Sequence, residues 1–111
     1  MTASSSKQRL SNELLSRAWI GDAVLSLWAR LKILKDDGQL DGEKCIRMTS
    51  NQFLSTIKEP SELEAEIGKV YEDSGLDAAF DFIEQSVLPA FERQEKNRRK
   101  RSPANAGTGA R

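Results

Sequence analysis

The chain has 111 residues, with 17 basic and 17 acidic side chains and a formal net charge of zero. It contains no histidine and a single cysteine, which excludes histidine-based catalytic triads, histidine-ligated zinc and an internal disulfide. No apolar run approaches the roughly 20 residues of a membrane-spanning helix, and the N-terminus lacks the apolar core of a secretory signal. We therefore expect a cytoplasmic protein without a membrane partner. Any catalysis must rely on carboxylates, hydroxyls, lysines or a metal ion held by oxygen ligands, which suit Mg²⁺ or Mn²⁺.

The predicted elements are all helices, because no sustained alternation of apolar and polar residues marks a strand. The first helix is expected over about 11–35. Its apolar stripe is wider than one face, so we expect burial on more than one side. Trp19 and Trp28 lie on it and are expected to find partners on another subunit, since large aromatic residues dominate cores and interfaces. The stripe comprises Leu14, Leu15, Ala18, Trp19, Ala23, Val24, Leu27, Trp28 and Leu31.

Two shorter helices are expected next, over about 43–48 and 50–57. Pro60 suits the first turn of a helix and predicts a helix from there to about residue 73. Gly75 is a natural terminator of that helix.

Asp77 is expected to cap the last long helix, and Pro89 to kink or restart it. The tail beyond it is charged and rich in Gly, Ala and Pro, so we expect it to be disordered from about residue 101. The sequence therefore predicts an all-α fold with a flexible segment 1–9, a helical domain 10–95 and a basic tail 96–111.

Basic residues concentrate in the tail. Residues 93–111 hold seven basic side chains and one acid, so the rest of the chain is correspondingly acidic. Such a run is usually a solvated segment. The functional alternative is attraction to RNA phosphates, which is independent of sequence and sensitive to salt. The candidate RNA-binding residues are Lys96, Arg98, Arg99, Lys100 and Arg101.

The stretch "WIGDAVLSLW" (19–28) contains a glycine and an acid within a helix that should be buried. Gly21 costs on the order of 1 kcal/mol relative to alanine in a helix interior. Asp22 among apolar neighbours is costly unless its carboxylate is paired or binds a metal. From these residues alone, Asp22 is either a structural acid in a cap or salt bridge or a metal ligand. From the residues alone, the better interpretation of Glu64 is a first-turn helix acid, which the helix dipole favours.

Two blocks of the chain resemble a known family. "RAWIGDAVLSLWARLKIL" resembles the signature helix of the ribonuclease III catalytic domain, and "LEAEIGKVYEDSGLDAAFDFIEQSVLP" resembles the second conserved block of that family. Between them, "RMTSNQFLSTI" is similar to the connecting helices. The resemblance covers roughly residues 10–91 in the same order. It is closest to the compact Mini-ribonuclease III type, which lacks a double-stranded RNA-binding domain.

This resemblance implies a ribonuclease III-like helical endonuclease domain that forms a homodimer. Trp19 and Gly21 would lie at the dimer interface, where the glycine lets backbones approach closely. Asp22 and Glu64 would be the catalytic residues and would bind Mg²⁺, or Mn²⁺ in its place. The implied activity is metal-dependent hydrolysis of phosphodiester bonds in double-stranded or structured RNA, which is an RNA-processing function.

The chain departs from the family pattern at two metal-site positions and in one segment. Ala18 and Ser61 stand where the family carries further acids, and the segment 51–64 is shorter. Two alternatives to an endonuclease therefore stay open. One is a non-cleaving RNA-binding or ribonucleoprotein-associated protein of the same fold, and the other is a helical protein-interaction module.

Overall fold

The computed structural model describes the backbone of residues 2–109 and the side chains of residues 12–100. These residues contain six helices and no strand, which confirms the all-α prediction. The helices are α1 (Thr2–Asp37), α2 (Gly42–Thr49), α3 (Asn51–Leu54), α4 (Pro60–Ser74), α5 (Leu76–Ser86) and α6 (Leu88–Gly109).

Helix α4 begins and ends where its sequence signals predict. Pro60 occupies its first turn, where a missing N–H costs nothing. The side chain of Glu59 accepts a hydrogen bond of 2.9 Å from the N–H of Glu62 and so caps the helix. Gly75 ends the helix with a φ of 94°, a conformation that favours glycine. Because α4 begins at Pro60, Glu64 lies in the second turn of this helix.

Three predicted boundaries differ from the structure. Helix α1 begins at Thr2 rather than at residue 11. Helix α3 stops at Leu54, after which the backbone N–H groups of Thr56 and Ile57 donate to carbonyls three residues earlier and form tighter turns. Asp77 lies in the first turn of α5 and does not cap it, since Gly75 is the residue that separates α4 from α5. Pro89 does restart the chain, as the second residue of α6.

Each of the six helices contributes buried residues to one apolar core: α1 contributes five, α3, α4 and α5 contribute two each, and α2 and α6 contribute one each, Met48 and Phe91. The rings of Phe53 and Phe91 meet edge to face with centroids 5.7 Å apart, which joins α3 to α6. The core residues on α1 are Val24, Leu25, Trp28, Ala29 and Ile33. Leu25, Ala29 and Ile33 were not part of the predicted stripe.

The predicted stripe of α1 divides between two faces of the helix. Trp28 is buried within its own chain, and its indole N–H lies 3.4 Å from a carboxylate oxygen of Glu84 on α5. The expectation that Trp28 needs another subunit is therefore wrong. Trp19, by contrast, is 78% exposed. The exposed large apolar residues of α1 are Leu14, Leu15, Trp19, Leu27, Leu31 and Leu34.

Within the described residues, no helix combines the length and apolar character needed to cross a membrane. Cys45 is half-buried at the edge of the core. The predicted flexible segment 1–9, most of the predicted tail 96–111 and the side chain of Arg101 lie outside the part of the chain whose side chains are described.

Candidate functional site

Helices α1 and α4 cross in direct backbone contact at two glycines. A Cβ atom added to Gly21 would overlap the backbone carbonyl of Glu64, and one added to Gly68 would overlap the backbone carbonyl of Arg17. Since both obstacles are backbone atoms, no side-chain movement could relieve the overlap. The glycine that seemed costly in a helix interior is thus required by the crossing.

The crossing brings Asp22 and Glu64 together. Asp22 follows Gly21 on α1, and the residue whose backbone touches Gly21 is Glu64 itself. Asp22 is exposed and Glu64 is half-buried, and a hydrogen bond with Asp22 is one of the causes that raise the pKa of Glu64. Sequence reasoning predicted this pair from the family resemblance, and the structure brings its two members together. Their roles in catalysis and metal binding stay predictions.

The electrostatic environment favours the neutral form of Glu64. Burial is the main cause that raises the pKa of Glu64 from 4.5 to about 7, and the hydrogen bond with Asp22 and the charges of Asp22 and Glu59 add to it. Glu64 is therefore partly protonated near neutral pH. Glu59 was not singled out from the sequence, although a residue just before a helix-starting proline is a natural capping position.

The chemistry of this donor set fits a hard divalent cation. Mg²⁺ is commonly bound through one or two carboxylates while it keeps several waters, with substrate phosphates completing the shell. Side chains 12–100 contain no group of three or more His, Cys, Asp or Glu residues that could hold a metal ion, so Asp22 and Glu64 would form a site with two protein ligands. Ala18 is buried and Ser61 is half-buried, and neither supplies a carboxylate.

The candidate RNA-binding residues whose side chains are described lie on α6. Lys96, Arg98, Arg99 and Lys100 are all exposed, and the described part of the chain holds no ion pair for any of them. The one acid of this region, Glu95, is instead bound to Arg47 of α2. The cationic side chains are therefore available to an external anion.

Of the two residues predicted at a dimer interface, Trp19 is exposed and Gly21 is buried. The close approach that Gly21 permits is to α4 of the same chain. Trp19 remains the residue through which this helix face could meet a partner, and the dimer itself stays a prediction.

No family model, curated protein or solved structure matches the chain. The resemblance to ribonuclease III catalytic domains therefore remains an interpretation of the two sequence blocks.

Proposed function

We propose that the chain is a metal-dependent endoribonuclease of the ribonuclease III type that hydrolyses double-stranded or structured RNA. The observation that carries this proposal is the pair of carboxyl groups, Asp22 and Glu64, held in contact where α1 and α4 cross. The pair joins the two sequence blocks on which the family resemblance depends. An acid pair built into a backbone contact, in a chain without histidine, suits phosphoryl chemistry that relies on charge neutralisation.

Asp22 and Glu64 would hold the cation beside the scissile phosphate. When bound, a divalent cation neutralises phosphate charge and lowers the pKa of a coordinated water. Glu64 must lose its proton before it can bind the cation, and the raised pKa of Glu64 makes this proton loss part of the binding equilibrium. Metal affinity should therefore rise with pH up to about 7. The small ligand set implies a weak site that needs millimolar Mg²⁺.

Two further surfaces of the chain would bind RNA and a second subunit. Exposed cations of α6 would attract RNA phosphates, which is a contribution to affinity rather than to chemistry. The exposed apolar face of α1, with Trp19 at its most exposed position, would pair two copies into a homodimer.

Cleavage of an RNA duplex by matched variants tests the enzymatic proposal. Asp22→Asn and Glu64→Gln remove a ligand charge with little change in shape, so we expect both to abolish Mg²⁺-dependent cleavage. Glu62→Gln, which neutralises an exposed acid in the first turn of the same helix, should cleave like the wild type. Products with 5′-phosphate ends would support the family mechanism.

Thermal melting separates a cleaving protein from a non-cleaving one. A cation that binds only the folded state raises the melting temperature, and either ligand variant should lose that response. If the wild type binds the duplex but neither cuts it nor responds to Mg²⁺, the enzymatic proposal fails. The non-cleaving RNA-binding alternative, which the absence of acids at Ala18 and Ser61 favours, would then replace it.

A further inference from the structure

Helix α6 projects into solvent after Glu95, which forms an ion pair with Arg47. Leu88 and Phe91 anchor its first turn in the apolar core, and Phe91 is 4% exposed. The last inward connections along the helix are at Gln94 and Glu95. Residues 96–100, which follow, are all exposed. The connection at Glu95 is therefore the ion pair next to the cationic part of the helix.

That connection is a two-pronged ion pair with Arg47 of α2. The Arg47 Nε donates to Glu95 Oε2 at 3.1 Å, and its Nη2 donates to Glu95 Oε1 at the same distance. The neighbouring Gln94 amide lies 3.5 Å from the backbone carbonyl of Arg47. Both charged side chains are largely shielded, with 27% of Arg47 and 14% of Glu95 exposed. Parallel hydrogen bonds of this kind fix orientation as well as distance.

Glu95 of the ion pair also lines a cleft between α6 and the helices α1 and α2. A cleft of about 190 Å³ lies beside α6, where residues of α1 and α2 face it. Glu95, Glu92 and Arg99 line the cleft from α6, and Lys32 and Lys44 line it from the other two helices. The cleft is also lined by the apolar residues Ile33, Met48, Leu88 and Phe91, so the Arg47–Glu95 pair joins α2 to α6 in addition to this apolar packing.

We propose that Arg47 and Glu95 are positioning residues that orient the cationic arm of α6, defined as residues 93–100, on the phosphate backbone of an RNA duplex. Arg93, Lys96 and Lys100 recur at spacings of three and four residues, so they lie on one face of the helix, opposite Phe91. Three basic side chains on one face of a helix with a fixed orientation can contact several phosphates at once. This inference rests on the RNA binding of the proposed function, and it does not depend on cleavage.

Two neutralising substitutions on the same helix separate orientation from charge. Glu95→Gln and Glu92→Gln each remove one negative charge from α6, but only the first breaks the pair with Arg47, since no ion pair of Glu92 occurs among the described residues. If charge alone governs affinity, both variants should bind RNA more tightly. If the pair orients the arm, Glu92→Gln should bind several-fold more tightly and Glu95→Gln several-fold more weakly than the wild type.

The experiment measures fluorescence anisotropy of a labelled RNA duplex over a range of salt, in EDTA to prevent cleavage. The slope of log affinity against log salt should become shallower in Glu95→Gln, by about 0.9 for each phosphate contact that is lost. The charge reversal Arg47→Glu with Glu95→Arg should restore both affinity and slope. Circular dichroism and thermal melting of each variant establish that the fold is kept.

Two outcomes overturn the inference, and they are distinguishable. Equal tightening by Glu95→Gln and Glu92→Gln would show that the arm acts by charge alone and leave the RNA-binding proposal intact. Absence of duplex binding by the wild type would remove the RNA-binding part of the proposed function and this inference with it.

Discussion

The surroundings of Glu64 and its proposed role as a metal ligand favour opposite protonation states of its carboxyl group. Its carboxyl is half-buried beside Asp22, which favours the protonated form, while a metal ligand must be ionised. Without a cation, the raised pKa of Glu64 means that the folded chain binds a proton that the unfolded chain releases. The free energy of unfolding should therefore fall as pH rises through the range in which Glu64 ionises.

We expect the wild type to lose stability as pH rises from about 4.5 to about 7, relative to Glu64→Gln. Below this window Glu64 is protonated in both states, and above it the full cost of ionising the folded state is present. The whole shift would correspond to roughly 3 kcal/mol, and solvent screening of a half-exposed group reduces the expected change to about 1–2 kcal/mol. Urea unfolding of the wild type and Glu64→Gln across this pH range measures the change in the free energy of unfolding.

Glu62→Gln is the matched control for this measurement, because Glu62 is exposed and lies in the first turn of the same helix. Its stability should follow the wild-type pH dependence. A wild type and a Glu64→Gln variant with parallel pH profiles would show that Glu64 ionises normally in the folded protein. The contact with Asp22 would then not be close enough to carry the proposed site.

At the scale of helices, the crossing of α1 and α4 depends on two glycines. Gly21→Ala places a methyl group against the Glu64 carbonyl, so the helices must separate or shift along each other. Overpacking costs typically about 1–3 kcal/mol, and the gain of up to about 1 kcal/mol in helix propensity does not offset a clash with rigid backbone. We therefore expect a net loss of about 2 kcal/mol in the free energy of unfolding.

Gly42→Ala provides the control, since a Cβ atom at this position in the first turn of α2 would meet no atom within 4 Å. This variant should be as stable as the wild type. Gly21→Ala should also bring the pKa of Glu64 back toward its ordinary value, because separated helices part the two carboxyl groups. Full wild-type stability in Gly21→Ala would contradict the tight crossing.

The elements with local signals could be predicted well from the sequence. Pro60 and Gly75 predict the first and last turns of α4, because proline suits a first turn and glycine suits the residue that ends a helix. The structure confirms both ends. The burial of α1 could not be predicted as well, because apolar residues occur on two of its faces and periodicity does not say which face meets the core. Leu25 and Ile33 are buried, while Leu27 and Leu31 are exposed.

For the candidate site, the two acids were predictable only through the family resemblance. Nothing in the residues near Asp22 indicates that its neighbour in space is Glu64, since the contact depends on where α4 crosses α1. The Arg47–Glu95 pair is likewise a long-range contact between α2 and α6. Ion pairs of this kind carry no periodic signal, so the sequence could not have indicated it.

At the scale of the whole molecule, α1 presents an apolar surface that nothing in the described part of the chain covers. We expect two copies to pair through this surface, so that Trp19→Glu weakens association by at least an order of magnitude, since a charge would have to be buried at the interface. Analytical ultracentrifugation at micromolar concentration should give about twice the chain mass of 12.4 kDa for the wild type and the single-chain mass for the variant.

Leu40→Glu is the matched control, because Leu40 is, like Trp19, a highly exposed apolar residue but lies in the loop after α1. This variant should associate like the wild type. A wild type that sediments as a single chain at all accessible concentrations would rule out the dimer.

The contacts of α1 also bear on the order in which the chain can fold during synthesis. Helix α1 packs against α2, α4 and α5, and two of these three partners follow it by more than twenty residues. A nascent chain released up to α3 therefore carries a long helix with both apolar faces uncovered. Such a chain is prone to aggregate or to be held by chaperones until α4 and α5 have been made. We therefore expect the backbone contact between Gly21 and Glu64 to form only after α4 has been made.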